Sequence, residues 1–185
     1  NGMEQCTQFD LGHLETILEG YYRPGHFKGV CQVMKRLLEI VMPSTRVLGQ
    51  IDYQQCMATG KMIRLYGWDI RLTIVPTLRE DSGLAMSSRN MRLSETDKQK
   101  ASVIYRSLLF LQQHLQTDDL SEYRTKAELM IKEAGFTKID YVSIAETTTL
   151  EPLTNWAGQT PPVGFVAAFI ICVTLIANLA RQKSR

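Results

Sequence analysis

The sequence is short of the side chains that announce most kinds of site. Its four cysteines, Cys6, Cys31, Cys56 and Cys172, form no Cys-x-x-Cys pair. A disulfide framework and a thiolate metal site are therefore both unsupported, and reduced thiols in the cytoplasm are the expectation. There are three histidines, His13, His26 and His114, each standing alone. A lone histidine is more often structural or exposed than a ligand or a base. Neither charge dominates. With 21 Lys+Arg against 19 Asp+Glu the formal net charge is +2, which gives no argument for nucleic acid or for an anionic membrane surface. No internal repeat or low-complexity segment occurs, and Asn1 to Asp10 is polar and has no secretory-signal pattern.

One long run lacks charge altogether: Val163 to Ala180, followed by Arg181, Lys183 and Arg185. Its length reaches the threshold for a membrane span. Gly164, Thr174 and Asn178 interrupt it, Pro161-Pro162 precede it, and Phe165 to Val173 is rich in strand-favouring residues. The run is read as a buried strand followed by a short helix or turn, with no membrane partner. The rest is ordinary globular composition, 44% hydrophobic and 22% charged over 185 residues. That is enough for one substantial domain or two small ones.

The apolar spacing gives the element order. Asn1 to Gly12 reads as loop with a short strand, and His13 to Glu19 as a helical turn. Lys28 to Met42 is a helix in which Val30, Val33, Met34, Leu37, Leu38 and Val41 recur, stopped by Pro43. A short strand at Arg46–Gly49, a helix from Gln54 to Tyr66 and a strand over 70–76 follow. Helix, strand, helix, strand with short connections implies a parallel sheet with crossover helices. Two strands are few for a doubly wound fold, so the chain is expected to begin within one.

Beyond Asn90 the pattern changes. Ser94-Glu95-Thr96-Asp97 opens a helix reaching about Gln116, and Asp118 to Ala134 forms another, stopped by Gly135. Ile139 to Ile144 is a strand, and Phe165 to Cys172 a further one. The fold class expected is α/β: the second half of a Rossmann-like parallel sheet over residues 1–83, then a small α+β domain over 84–185.

Two segments carry the chemistry. Gly83-Leu84-Ala85-Met86-Ser87-Ser88-Arg89-Asn90 follows the strand at 70–76, where ligands of open α/β sheets sit. Its small residues, hydroxyls and guanidinium suit an anion with several oxygens, although a solvated turn has the same composition. Gly49-Gln50-Ile51-Asp52-Tyr53-Gln54-Gln55 runs from a strand into a helix. There Asp52 can cap, Gly49 permits close approach, and the helix N-terminus favours anions; an ordinary strand-to-helix connection fits equally.

These two segments, together with Arg23-Pro24-Gly25-His26-Phe27-Lys28-Gly29-Val30 and Leu150-Glu151-Pro152-Leu153, match in order and spacing those of pantothenate synthetases (pantoate–β-alanine ligases), and the chain resembles that family over almost its whole length. The resemblance implies a nucleotidyltransferase-type domain followed by a smaller one, a cytoplasmic homodimer, and ATP with Mg²⁺. It implies that pantoate is activated as pantoyl adenylate and that the amine of β-alanine then displaces AMP. Carried over by position, Gly49, Gln50, Ile51 and Asp52 contact ATP, and the Leu78 backbone borders the adenine. Met86, Ser87, Ser88 and Arg89 form the phosphate loop, with Arg89 stabilising charge during adenylyl transfer, and Gln55 binds pantoate. No metal ligand is implied.

Two departures limit the expectation. The family's Met-Gly-x-Leu-His-x-Gly-His motif is nowhere in these residues, and Ile51 stands where the family has a phosphate-contacting lysine. Near the end, Cys172, Thr174 and Ala177 replace ionisable residues of the family pattern. The chain alone is accordingly expected to be incomplete and poorly active or inactive. The alternative is a catalytically dead domain or paralogue serving dimerisation.

Overall fold

The computed structural model describes residues 10–115, 119–158, 161–171 and 173–180. The strand expected within Asn1 to Gly12 lies almost wholly outside them. Two compact units part between Val75 and Pro76.

In the first unit a 3₁₀ turn at Gly12–Glu15 leads into helix α1 (Leu18–Tyr22) and then α2 (His26–Val41). The buried stripe of α2 is Phe27, Cys31, Met34 and Leu38. This corrects the sequence reading, because Val33, Leu37 and Val41 are exposed. The helix carries apolar residues on more than one face, and what it packs against selects among them. Met42 closes α2 in the left-handed region, its N–H donating to Leu38 O at 2.8 Å, and Pro43 follows.

Strand β1 (Thr45–Gly49) pairs in parallel with β2 (Arg71–Val75), Arg46 opposite Leu72 and Leu48 opposite Ile74. Helix α3 (Tyr53–Leu65) is the crossover between them. A Cβ at Gly60 would stand 3.2 Å from Leu72 Cδ2, so the missing side chain lets α3 lie close on β2. On the other pleat of the sheet, Val47 and Val75 remain exposed.

The second unit opens with a folded-back segment over residues 78–86. A 3₁₀ turn at Ser88–Arg92, α4 (Glu95–Ala101), α5 (Val103–His114) and α6 (Ser121–Glu133) follow. Because the segment 78–86 pairs with itself, a boundary at 83/84 would cut through it. Ser94 caps α4, its hydroxyl accepting from the Asp97 N–H at 3.2 Å. The single helix expected from Ser94 to about Gln116 is broken at Ser102. There the hydroxyl donates to Gln99 O at 2.6 Å, a local bond that competes with helix continuation. Helix α6 begins at Ser121 rather than Asp118, since Asp119 accepts from both the N–H and the hydroxyl of Ser121 at 2.8 Å.

Strands β3 (Lys138–Ala145), β4 (Val163–Ile170) and β5 (Val173–Ala180) form an antiparallel sheet in that order. The short helix or turn expected at the end of the charge-free run is instead a strand. Val173 pairs with Ile170 and Ala180 with Val163. The chain reverses at Ile171, whose φ is 56°. Val173, Leu175 and Ala177 then alternate inward, the period of a strand rather than of a helix. Leu108, Leu111, Ile131, Ile144, Val166 and Ile170 form the centre of this unit's core. Among the described residues no helix is long and apolar enough to cross a membrane.

Candidate functional site

In the first unit the end of β1 and the start of α3 gather one group of expected residues. Gly49 ends the strand, Gln50–Asp52 form a 3₁₀ turn, and Tyr53 begins the helix. Gly49 has φ −76°, open to any residue, and the nearest atom to a Cβ there would be Ile51 Cγ2 at 3.9 Å. Its role is to leave space, not to permit a special conformation. Asp52 occupies the N-cap position, but its side chain makes no capping hydrogen bond and is exposed. The capping role expected for it is thus corrected: the carboxylate lies in solvent at the positive end of α3. Behind this turn the Cys56 thiol, fully buried, donates to Gly49 O at 3.5 Å. Burial pushes that thiol up to about 11, so it stays protonated and inert.

Gln55 lines a cleft of about 500 Å³ with Gly25, His26, Gly29, Val30, Val33 and Met34. Nothing lies within 4 Å of a Cβ built at Gly25 or Gly29, and those two glycines open its wall. The His26 ring stands at the first turn of α2, and burial and then the Arg23 charge hold its pKa below the ordinary 6.5. A neutral imidazole and a neutral amide are therefore the polar groups of an otherwise small and apolar cleft. Sequence reasoning took His26 as an isolated histidine and missed this wall. The signal was there in Gly25, Gly29 and Val33, spaced four apart along one helix face.

The second unit gathers the other group. Leu78 is exposed and its carbonyl accepts from Met86 N–H at 2.9 Å. Ser87 caps the 3₁₀ turn, its hydroxyl accepting from Arg89 N–H at 3.2 Å. Ser88 and Arg89 are exposed, with Ser87 half-buried between them and the interior. Asn90 is buried beneath the loop, and its amide donates to Glu80 Oε1 and to Ala85 O, each at 3.0 Å. Exposed Ser88 and Arg89, with half-buried Ser87 before them, thus stand on a base held by side-chain hydrogen bonds.

The family model described as pantoate–β-alanine ligase matches residues 2–180. The chain belongs to the pantoate–β-alanine ligase family. It is 36% identical over 172 residues to the pantothenate synthetase of Azobacteroides pseudotrichonymphae, covering 93% of this chain and 61% of that protein. The Bacteroides fragilis pantothenate synthetase is 34% identical, with 96% of this chain and 63% of the relative covered. Among solved structures, pantothenate synthetase from Thermus thermophilus superposes with a TM-score of 0.84 at 37% identity, over 91% of this chain and 60% of that one. Pantoate–β-alanine ligase from Francisella tularensis, solved with β-γ ATP and β-alanine, gives 0.67 at 32% identity, covering 94% of this chain and 57% of that one. The chain therefore spans less than two thirds of the length of the relatives it matches. Its fold is the nucleotidyltransferase-like fold of this family, a parallel sheet followed by a small antiparallel one.

Among the described residues no group of three or more His, Cys, Asp or Glu could hold a metal ion.

Proposed function

We propose that this chain is the pantoate-binding and phosphate-binding part of a pantothenate synthetase, acting in the ATP-dependent condensation of (R)-pantoate with β-alanine. The observation that carries the reading is the Gln55 cleft. Pantoate presents hydroxyls and a carboxylate on a branched hydrocarbon. A small, largely apolar cleft with one neutral amide and one neutral imidazole matches that mixture.

The chemistry follows the family. A pantoate carboxylate oxygen attacks the α-phosphorus of ATP, the bond to the β-phosphate oxygen breaks, and diphosphate leaves. The amine of β-alanine then attacks the acyl carbon of pantoyl adenylate, losing a proton as the C–O bond to AMP breaks. Gln55 orients the hydroxy acid. Gly49, Gln50, Ile51 and Asp52 contact the nucleotide, and the Leu78 backbone borders its base. Ser87 and Ser88 hold phosphate oxygens in the loop that Met86 opens and Arg89 closes. Arg89 neutralises charge building on the transferred phosphoryl group, an electrostatic role needing no proton transfer. Mg²⁺ enters with the nucleotide, and the assembly is a cytoplasmic homodimer.

Calorimetric titration with (R)-pantoate tests the reading. Saturable binding that weakens about tenfold in Gln55→Ala is expected, the scale of one lost hydrogen bond. Absence of saturable binding, or binding indifferent to Gln55→Ala, overturns it. In a coupled assay for pantoate- and β-alanine-dependent AMP release, these 185 residues alone are expected to show no turnover, since they hold no family histidine motif and carry Ile51.

A second reading is a non-catalytic domain kept for association. It is favoured by the exposed apolar stripe of Val33, Leu37 and Val41 on α2. Light scattering over a concentration series decides it: a strictly monomeric chain overturns it.

A further inference from the structure

The loop from Met86 to Arg89 leaves a hairpin-like segment that one guanidinium ties down. Met86 N–H donates to Leu78 O at 2.9 Å, Glu80 N–H to Leu84 O at 2.8 Å and Gly83 N–H to Glu80 O at 2.8 Å. Arg79 pairs with Ala85 across this fold-back. The Arg79 side chain then reaches in two directions. Nη1 donates to Gly83 O at 3.2 Å, at the tip of the segment, and Nη2 donates to Asn178 O at 3.1 Å, on edge strand β5. Its Cζ lies 4.3 Å from the centre of the Tyr105 ring on α5.

Both acceptors are neutral carbonyls, and among the described residues no carboxylate pairs with this half-buried guanidinium to offset its loss of hydration. A hydrocarbon side chain would fill the same space without that cost. What it could not do is bridge two carbonyls while placing a cation over an aromatic ring. The consequence passes along the chain. Glu80, next to Arg79, receives one hydrogen of the Asn90 amide, and Ala85 O receives the other. Asn90 adjoins Arg89. A shift of the hairpin relative to β5 therefore moves the base on which Ser87, Ser88 and Arg89 stand.

We infer that Arg79 is a positioning residue for the phosphate loop, anchoring the hairpin to β5 and α5 and so fixing where the Ser87 and Ser88 hydroxyls and the Arg89 guanidinium point. The inference rests on the reading of Met86–Arg89 as a phosphate site, given above.

Hydrogen exchange on the full chain tests it, with Arg79→Gln and Arg79→Lys compared with the unmodified protein and Mg-ATP titrated into all three. Exchange at the Met86 and Asn90 amides is expected to rise about tenfold in both variants, the effect of losing a hydrogen bond or two to a local opening, while the β3–β4 amides stay as they were. Mg-ATP affinity is expected to fall about tenfold in both, because lysine restores the charge but not the two-carbonyl bridge. Unchanged exchange at Met86 and Asn90, a rise shared equally by the β3–β4 ladder, or full recovery with Arg79→Lys overturns the inference. Should Arg79→Gln not fold, Tyr105→Leu removes the ring beneath the guanidinium, and a rise confined to the same amides is expected. An unmodified chain that binds no Mg-ATP overturns the phosphate reading itself, and the exchange ratios still decide whether Arg79 holds the hairpin.

Discussion

Gln54 and Gln55 are neighbours on α3 with opposite tasks. Gln54 is buried, its Nε2 donating to Leu14 O and Ile17 O at 2.9 Å while its Oε1 accepts from Glu19 N–H at 3.1 Å. Gln55 opens into the cleft. Gln54→Ala removes all three bonds, including the buried one to Leu14 O, and should lower unfolding free energy by about 1–3 kcal/mol. Gln55→Ala should change it by less than about 0.5 kcal/mol, while weakening (R)-pantoate binding. Paired urea unfolding curves separate the two. Equal destabilisation by both substitutions would show that Gln55, too, is a packing residue.

Ile51 is the natural site for gaining function. It lies in the turn between β1 and α3, where the family resemblance has a lysine and this chain has no side-chain donor. A preorganised cation facing developing phosphate charge contributes about 3–4 kcal/mol to transition-state stabilisation and a smaller share to ground-state binding. Ile51→Lys should therefore tighten Mg-ATP binding by about tenfold, and the gain should shrink with added salt. Displacement of a fluorescent nucleotide reads this directly. No change at low salt would mean that this turn does not meet the phosphates.

Gly83 makes the hairpin possible. Its φ is +85°, and a Cβ added there would stand 2.0 Å from Tyr105 Cδ1. Gly83→Ala combines left-handed strain with overlap against an aromatic ring and should cost about 2–4 kcal/mol. Gly83→Ala with Tyr105→Ala removes the overlap and leaves the strain, so the added penalty of the alanine in that background should fall to about 1 kcal/mol. A thermal-unfolding double-mutant cycle measures the difference, and simple additivity of the two changes would contradict the geometry.

The parts legible in the sequence were those with sharp local punctuation. Strand β2 is a short apolar run between Gly67 and Pro76, and β1–α3–β2 follows from it. Strand β5 was not legible, because Val163–Ala180 has no polar interruption strong enough to choose between periods of 2 and 3.6. The reversal there is made at Ile171, not at a glycine or asparagine. The break at Ser102 depends on one hydroxyl turning back to Gln99 O, which residue type alone does not announce. Nor does residue type separate Gln54 from Gln55; only the fold shows which amide meets backbone and which meets the cleft. On α2 the sequence supplies more apolar residues than the interior uses, so their helical spacing does not separate exposed Val33 and Leu37 from buried Met34 and Leu38, nor does it show the opening between Gly25 and Gly29.

His26 gives the cleft a pH signature. Burial, then the charge of Arg23, lowers its pKa below 6.5 in the folded chain. The unfolded chain takes up the proton at higher pH than the folded one, so stability rises with pH across the interval between the two pKa values. The contribution of His26 is complete above 6.5 and is lost as pH falls through the lower, folded value. His26→Gln should flatten that part of the stability profile. A bound carboxylate in the cleft works in the opposite direction, since an anion nearby favours imidazolium. Adding (R)-pantoate should therefore move the His26 titration upward, followed by the Hε1 resonance in NMR, and pantoate should bind more tightly as pH falls toward that value. A His26 that titrates at or above 6.5 without ligand would contradict the desolvated cleft. A titration unmoved by saturating pantoate would place the ligand's carboxylate away from this ring.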